Sequence, residues 1–260
     1  SVNILIFSIL DNFGFGGGRN GFIYIQGVGK PDITFSIIFF IGFLLIFRLS
    51  SSEKIKSTDF LYLNWIVLFC FQLKVFGALL IIPYIYLLFV HKEKILKIIK
   101  QTKTFYIQVF VLISWTLKSL LLSGCIVFPV SQTCIENLNW FTPKLFNDFY
   151  TETKIFNKAF LINDGFTNWF TSWYAVVENR NILLNFVTSF LIIYILNLLF
   201  LQRKIKISRE NFYVYIFLTI CFIALIFTSP LPRFLIPVFL ITVSAINMSE
   251  SFKIKGIKLL

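Results

Sequence analysis

Charge is scarce in this 260-residue chain: Asp, Glu, Lys and Arg together make up 14% of it, against about 25% in a soluble protein. Histidine is almost missing. With His91 alone and four cysteines that form no His/Cys cluster, no ligand set exists for a soft metal, haem or iron–sulfur centre. Neither a metal nor a redox cofactor is expected. The same shortage leaves no Ser/His/Asp or Cys/His catalytic set, because His91 stands at the end of an apolar run. Methionine occurs once, at Met248, and the chain opens on SVNILIFSIL without a basic flank. That opening is not a signal peptide, and the expectation is a piece of a longer protein lacking its natural N-terminus.

What the chain has instead is apolar surface. Hydrophobic residues make up 57%, with 34 Phe and a mean hydropathy of +0.82, which leaves too little polar surface to cover a water-soluble core of this size. A soluble globule is excluded. Apolar runs at about 33–47, 60–73, 75–90, 104–123, 181–202, 211–228 and 234–247 predict an all-α, polytopic transmembrane helical bundle of about seven spans. Several runs are short for a perpendicular span, so the spans extend into their flanks or the bilayer thins around them.

The net charge of +12 does not point to nucleic acid, because the cations sit between apolar runs rather than on one polar face. Segments 48–59, 91–103, 203–210 and 248–260 carry 15 Lys/Arg in 46 residues, while 1–32, 124–180 and 229–233 carry 7 in 94. The positive-inside rule then puts the N-terminal loop outside and the C-terminus in the cytoplasm. The organisation expected is an outer Gly-rich loop (1–32), four spans (33–123), an extracytoplasmic loop (124–180), three spans (181–247) and a cytoplasmic tail (248–260). Membrane lipids are partners on this reading.

Two amphipathic stretches stand out. HKEKILKIIKQTK (91–103) has Ile95, Ile98 and Ile99 at helical spacing with Lys elsewhere, and reads as a cytoplasmic interfacial helix on anionic lipid. RKIKISRE (203–210) is a shorter basic turn. In the outer loop Phe166, Trp169, Phe170, Trp173, Tyr174 and Val177 recur at helical spacing, which predicts a helix lying flat in the outer interface; residues 144–160 form a weaker second case. Such helices serve as anchors, or as a wall for a lipid-linked substrate built from Trp140, Trp169 and Trp173 together with Arg19. Cys125 and Cys134, nine positions apart on the side expected to be oxidising, make a disulfide feasible. Cys70 and Cys221 lie in apolar runs and read as core residues.

Cations at membrane depth cost about 2.5–3.5 kcal/mol on insertion scales, so each asks for an explanation. Lys74 interrupts two runs at the outer end of a tight hairpin, Lys118 lies a turn after Trp115, and Arg233 ends the turn SPLPR. Snorkelling to headgroups is one account; binding a phosphate or pyrophosphate headgroup is the other. The Gly-rich loop 11–32 contains neither a dinucleotide fingerprint nor a P-loop. Its Asp11 and Asp32 are candidate bases toward an acceptor hydroxyl.

SWTLKSLLLSGCIVFPVSQTCIENLNW (114–140), the hairpin LKVFGALLIIP around Lys74 and SPLPRFLIPVFLI (229–241) together resemble bacterial multi-pass glycosyltransferases of the GT-C type, in matching order. The resemblance implies transfer of a sugar from a polyprenyl-phosphate donor to a cell-envelope glycan, lipid or protein acceptor at the outer face of the cytoplasmic membrane, with a lipid-linked sugar phosphate as donor and no other cofactor. It also implies a catalytic carboxylate in the first outer loop, which falls before Ser1 and leaves Asp11 and Asp32 in second place. Two other readings stand beside it: a transporter or flippase for polyprenyl-linked glycans, and a non-catalytic subunit of a membrane complex.

Overall fold

The computed structural model describes residue 6 and residues 32–128, 130–144, 147–148, 151, 165–201, 209–228 and 232–245. The protein is all-α, with nine α-helices among the described residues. These are α1 (Asp32–Ser50), α2 (Ser57–Leu73), α3 (Ile81–Val90), α4 (Lys92–Gln101), α5 (Lys103–Ser123), α6 (Phe166–Ala175), α7 (Val177–Leu201), α8 (Arg209–Thr228) and α9 (Pro232–Ala245). A 3₁₀ turn, Val75–Leu80, joins α2 to α3.

Seven spans do not form among the described residues. Among the described residues two helices, Lys103–Ser123 and Asn179–Leu196, are long and apolar enough to cross a bilayer, or three if Val75–Val90 and the sharply bent Lys92–Gln101 make one span. Elsewhere the apolar stretches within helices are 10–17 residues long, such as Ser57–Leu73 and Phe234–Ala245. Seventeen residues rise only about 26 Å, short of a hydrocarbon core of about 30 Å. The run at 75–90 spends its first six residues on the 3₁₀ segment.

The chain divides into two units, residues 41–156 and residues 1–40 with 157–260, the division falling inside α1. In the second of these, α9 packs against both α7 and α8. Its core is aromatic: Phe186 stacks on Phe239 with ring centroids 3.7 Å apart, and Phe39 stacks on Phe217. Asn179, buried there, donates from Nδ2 to the carbonyl of Trp173 at 3.0 Å and so closes the break between α6 and α7.

In the unit 41–156, α2 packs against α5. Gly77 allows the tight return into α3, because a Cβ there would stand 2.2 Å from the carbonyl oxygen of Cys70. Backbone hydrogen bonds close the same corner: Lys74 N–H donates to Cys70 O at 3.1 Å and Gly77 N–H to Lys74 O at 2.8 Å. Lys74 itself has extended backbone, φ −153° and ψ 139°, and ends α2. The break expected at Lys74 is therefore a corner in one continuous hairpin.

Candidate functional site

Three polar side chains from three apolar helices of the unit 41–156 meet. Tyr84 Oη on α3 donates to Asn64 Oδ1 on α2 at 2.7 Å, Asn64 Nδ2 donates to Gln108 Oε1 on α5 at 3.2 Å, and Gln108 Nε2 donates to the carbonyl of Leu61 at 2.8 Å. Asn64 and Gln108 are both buried. Burying an amide without partners is costly, so this chain of bonds selects one alignment of α2 on α5. Asn64 and Gln108, like Lys74, are polar residues inside apolar runs, and that interruption is the signal of them in the sequence.

The alignment has a consequence one level up. Phe71 and Trp115 contact at 5.0 Å, and they stand 44 positions apart, the same offset that separates Asn64 from Gln108. The two helices therefore run parallel in constant register, and Lys74 and Lys118, also 44 apart, fall at the same level. Lys118 is exposed and Lys74 half-buried.

Beside them sits a disulfide-closed loop. Cys125 and Cys134 are bonded and form an isolated antiparallel bridge, with Ile126 N–H donating to Thr133 O at 3.0 Å and Ile135 N–H to Gly124 O at 2.9 Å. Gly124 turns the chain off α5 at φ +74°, with the ring of Phe141 occupying the place a side chain would need. Ser119, one residue after Lys118, donates from Oγ to Cys125 O at 2.9 Å. Thr133 Oγ1 accepts Val127 N–H at 3.1 Å. Trp140 Nε1 donates to Leu120 O at 3.2 Å, yet the residue stays 51% exposed. The loop is thus anchored to the last turns of α5, the segment that carries Lys118.

The other unit holds the remaining tryptophans of the expected wall. Trp169 and Trp173 lie on one face of α6 and are buried, leaving Phe166 and Phe170 as the exposed rings of that helix. Asp11 and Arg19 lie outside the described residues, as do most of 144–160 and the tail 248–260; Asp32 and Arg233 are seated by backbone alone in the first turns of α1 and α9. Among the described residues no three of His, Cys, Asp or Glu gather as a metal-binding group.

A family model described as a domain of unknown function (DUF8201) matches residues 22–240. The chain belongs to this family. The matched stretch contains Lys74, Lys118, the disulfide loop and all of α1–α8. No curated protein and no solved structure matches the chain. The family description assigns no activity, and the likeness to glycosyltransferases rests on the quoted motifs.

Proposed function

We propose that the protein is an integral membrane glycosyltransferase, or a piece of one, that holds the phosphate of a polyprenyl-linked sugar between Lys74 and Lys118 at the outer membrane boundary. The observation that carries this reading is the constant register of α2 and α5, which sets two cations at one level beside the disulfide loop. Exposed apolar residues lie on both sides of Lys118 along α5: Phe110, Leu121 and Leu122 are 68%, 66% and 75% exposed, a surface that suits lipid. The flanks of α5 support the orientation. Its first turn adjoins the Lys-rich α4 and its last turn adjoins a disulfide, and basic flanks favour the cytoplasm while disulfides form on the oxidising side.

In the proposed reaction the acceptor hydroxyl attacks the anomeric carbon, a carboxylate takes its proton, and the sugar–phosphate C–O bond breaks with its electron pair leaving on the lipid phosphate. Fixed cations stabilise that developing charge. Arg233, Asp11 and Asp32 belong to the other unit, and this phosphate assignment does not rest on them.

The test is sugar transfer by the full-length protein in membranes, from a radiolabelled polyprenyl-phosphate sugar. Lys74→Met and Lys118→Met should each lower transfer about tenfold or more at normal protein level, at roughly 1.4 kcal/mol per decade. Full transfer in both variants defeats the phosphate assignment. Tight polyprenyl-phosphate binding with lipid-linked sugar moved across vesicles and no new glycosidic bond replaces the enzyme by a transporter.

A further inference from the structure

The proposed phosphate chemistry makes no use of the sharp corner at the opposite end of the unit 41–156. There the axis of Lys92–Gln101 turns 98° from that of Val75–Val90. The turn is made at His91, whose backbone leaves the helical region at φ −121° and ψ 29°. It is held from outside α4: His91 Nε2 lies 3.4 Å from Ser50 O, and Lys94 Nζ donates to the carbonyl of Glu53. Ile95 and Ile98 are buried and keep the helix against its unit.

Lys92, Leu96 and Lys100 follow one another at i, i+4 and i+8, so they form a single stripe along α4. All three are exposed, Leu96 at 45%. A side chain such as Lys97 falls about 100° around the helix from Leu96. The helix immediately precedes α5, which is long and apolar enough to cross a bilayer, and so stands at the end of that helix. On that geometry the stripe presents two cations about 12 Å apart with an apolar side chain between them.

We propose that this stripe is a seat for anionic phospholipid on the leaflet at the α4 end, Lys92 and Lys100 taking headgroup phosphates and Leu96 entering the acyl boundary. Charge complementarity selects an anion. Leu96 favours lipid, since a headgroup–acyl boundary covers an apolar residue lying between two phosphate contacts. Neither Lys74 nor Lys118 enters this argument.

The test uses the full chain purified in mild detergent, with its thermal midpoint followed as phosphatidylglycerol or phosphatidylcholine is added. Phosphatidylglycerol should stabilise the protein more than phosphatidylcholine, and high salt should weaken the difference. The double variant Lys92→Gln/Lys100→Gln should need about tenfold more phosphatidylglycerol for half the effect, with a smaller loss in Leu96→Ser. Lys97→Gln should change it less than about threefold, because that residue is off the stripe. Equal responses to the two lipids overturn the proposal, as does a Lys97→Gln loss equal to that of the double variant. An oligonucleotide that binds through Lys92 and Lys100 while phosphatidylglycerol has no effect overturns it in favour of a nucleic-acid surface.

Discussion

Asn64 Nδ2 donates a hydrogen bond to Gln108 Oε1 at 3.2 Å, across 44 positions of sequence and between two apolar helices. Because Asn64 also accepts from Tyr84 at 2.7 Å, this one amide joins α2, α3 and α5. Removing either amide strands the other in an apolar setting. We expect Asn64→Ala and Gln108→Ala each to destabilise by about 1–2 kcal/mol. The double variant should lose less than the sum, since the shared bond is broken only once. Denaturation of the purified protein in mixed micelles measures all three; strict additivity would remove the coupling assigned to this bond.

Gly77 meets backbone where Gly42 meets a side chain. A Cβ at Gly77 would approach Cys70 O to 2.2 Å, while at Gly42 the nearest atom is Ile66 Cγ2, at 2.8 Å, a side-chain methyl rather than backbone. Gly77→Ala should therefore open the corner at Lys74 and cost more than about 2 kcal/mol, with Gly42→Ala costing clearly less. Thermal midpoints of the two variants decide the order.

The disulfide closes a loop whose ends are nine positions apart. Loop-closure entropy for that length is worth about 2–3 kcal/mol. Cys125→Ser should lower stability by that order and release a thiol at Cys134. Non-reducing against reducing peptide mapping of protein taken from cells checks the bond. Two quantitatively alkylated thiols would contradict it.

The side of each end of α5 is open to direct labelling. Asn147 and Gln101 are both exposed and flank α5 on its two ends. Cysteine at Asn147 should react with an impermeant thiol reagent on intact cells, and cysteine at Gln101 only after permeabilisation. The reverse pattern would invert the protein and move the Lys74–Lys118 level to the cytoplasmic face.

The apolar runs, the helix interruption at Lys74, the feasible Cys125–Cys134 bond and the spacing of Ile95, Ile98, Trp169 and Trp173 were all legible in the sequence, because helical class and face follow from local period and composition. Tertiary structure decided the rest. Hydropathy counts an apolar run without knowing where the axis bends, so 75–90 read as a span until the 98° corner at His91 joined it to α4. Spacing puts Trp169 and Trp173 on one face of α6 but cannot tell a lipid wall from a core; their burial makes them core. The pairing of Asn64 with Gln108, and through it the common level of Lys74 and Lys118, depends on packing across 44 positions, and no local pattern carries information over that distance.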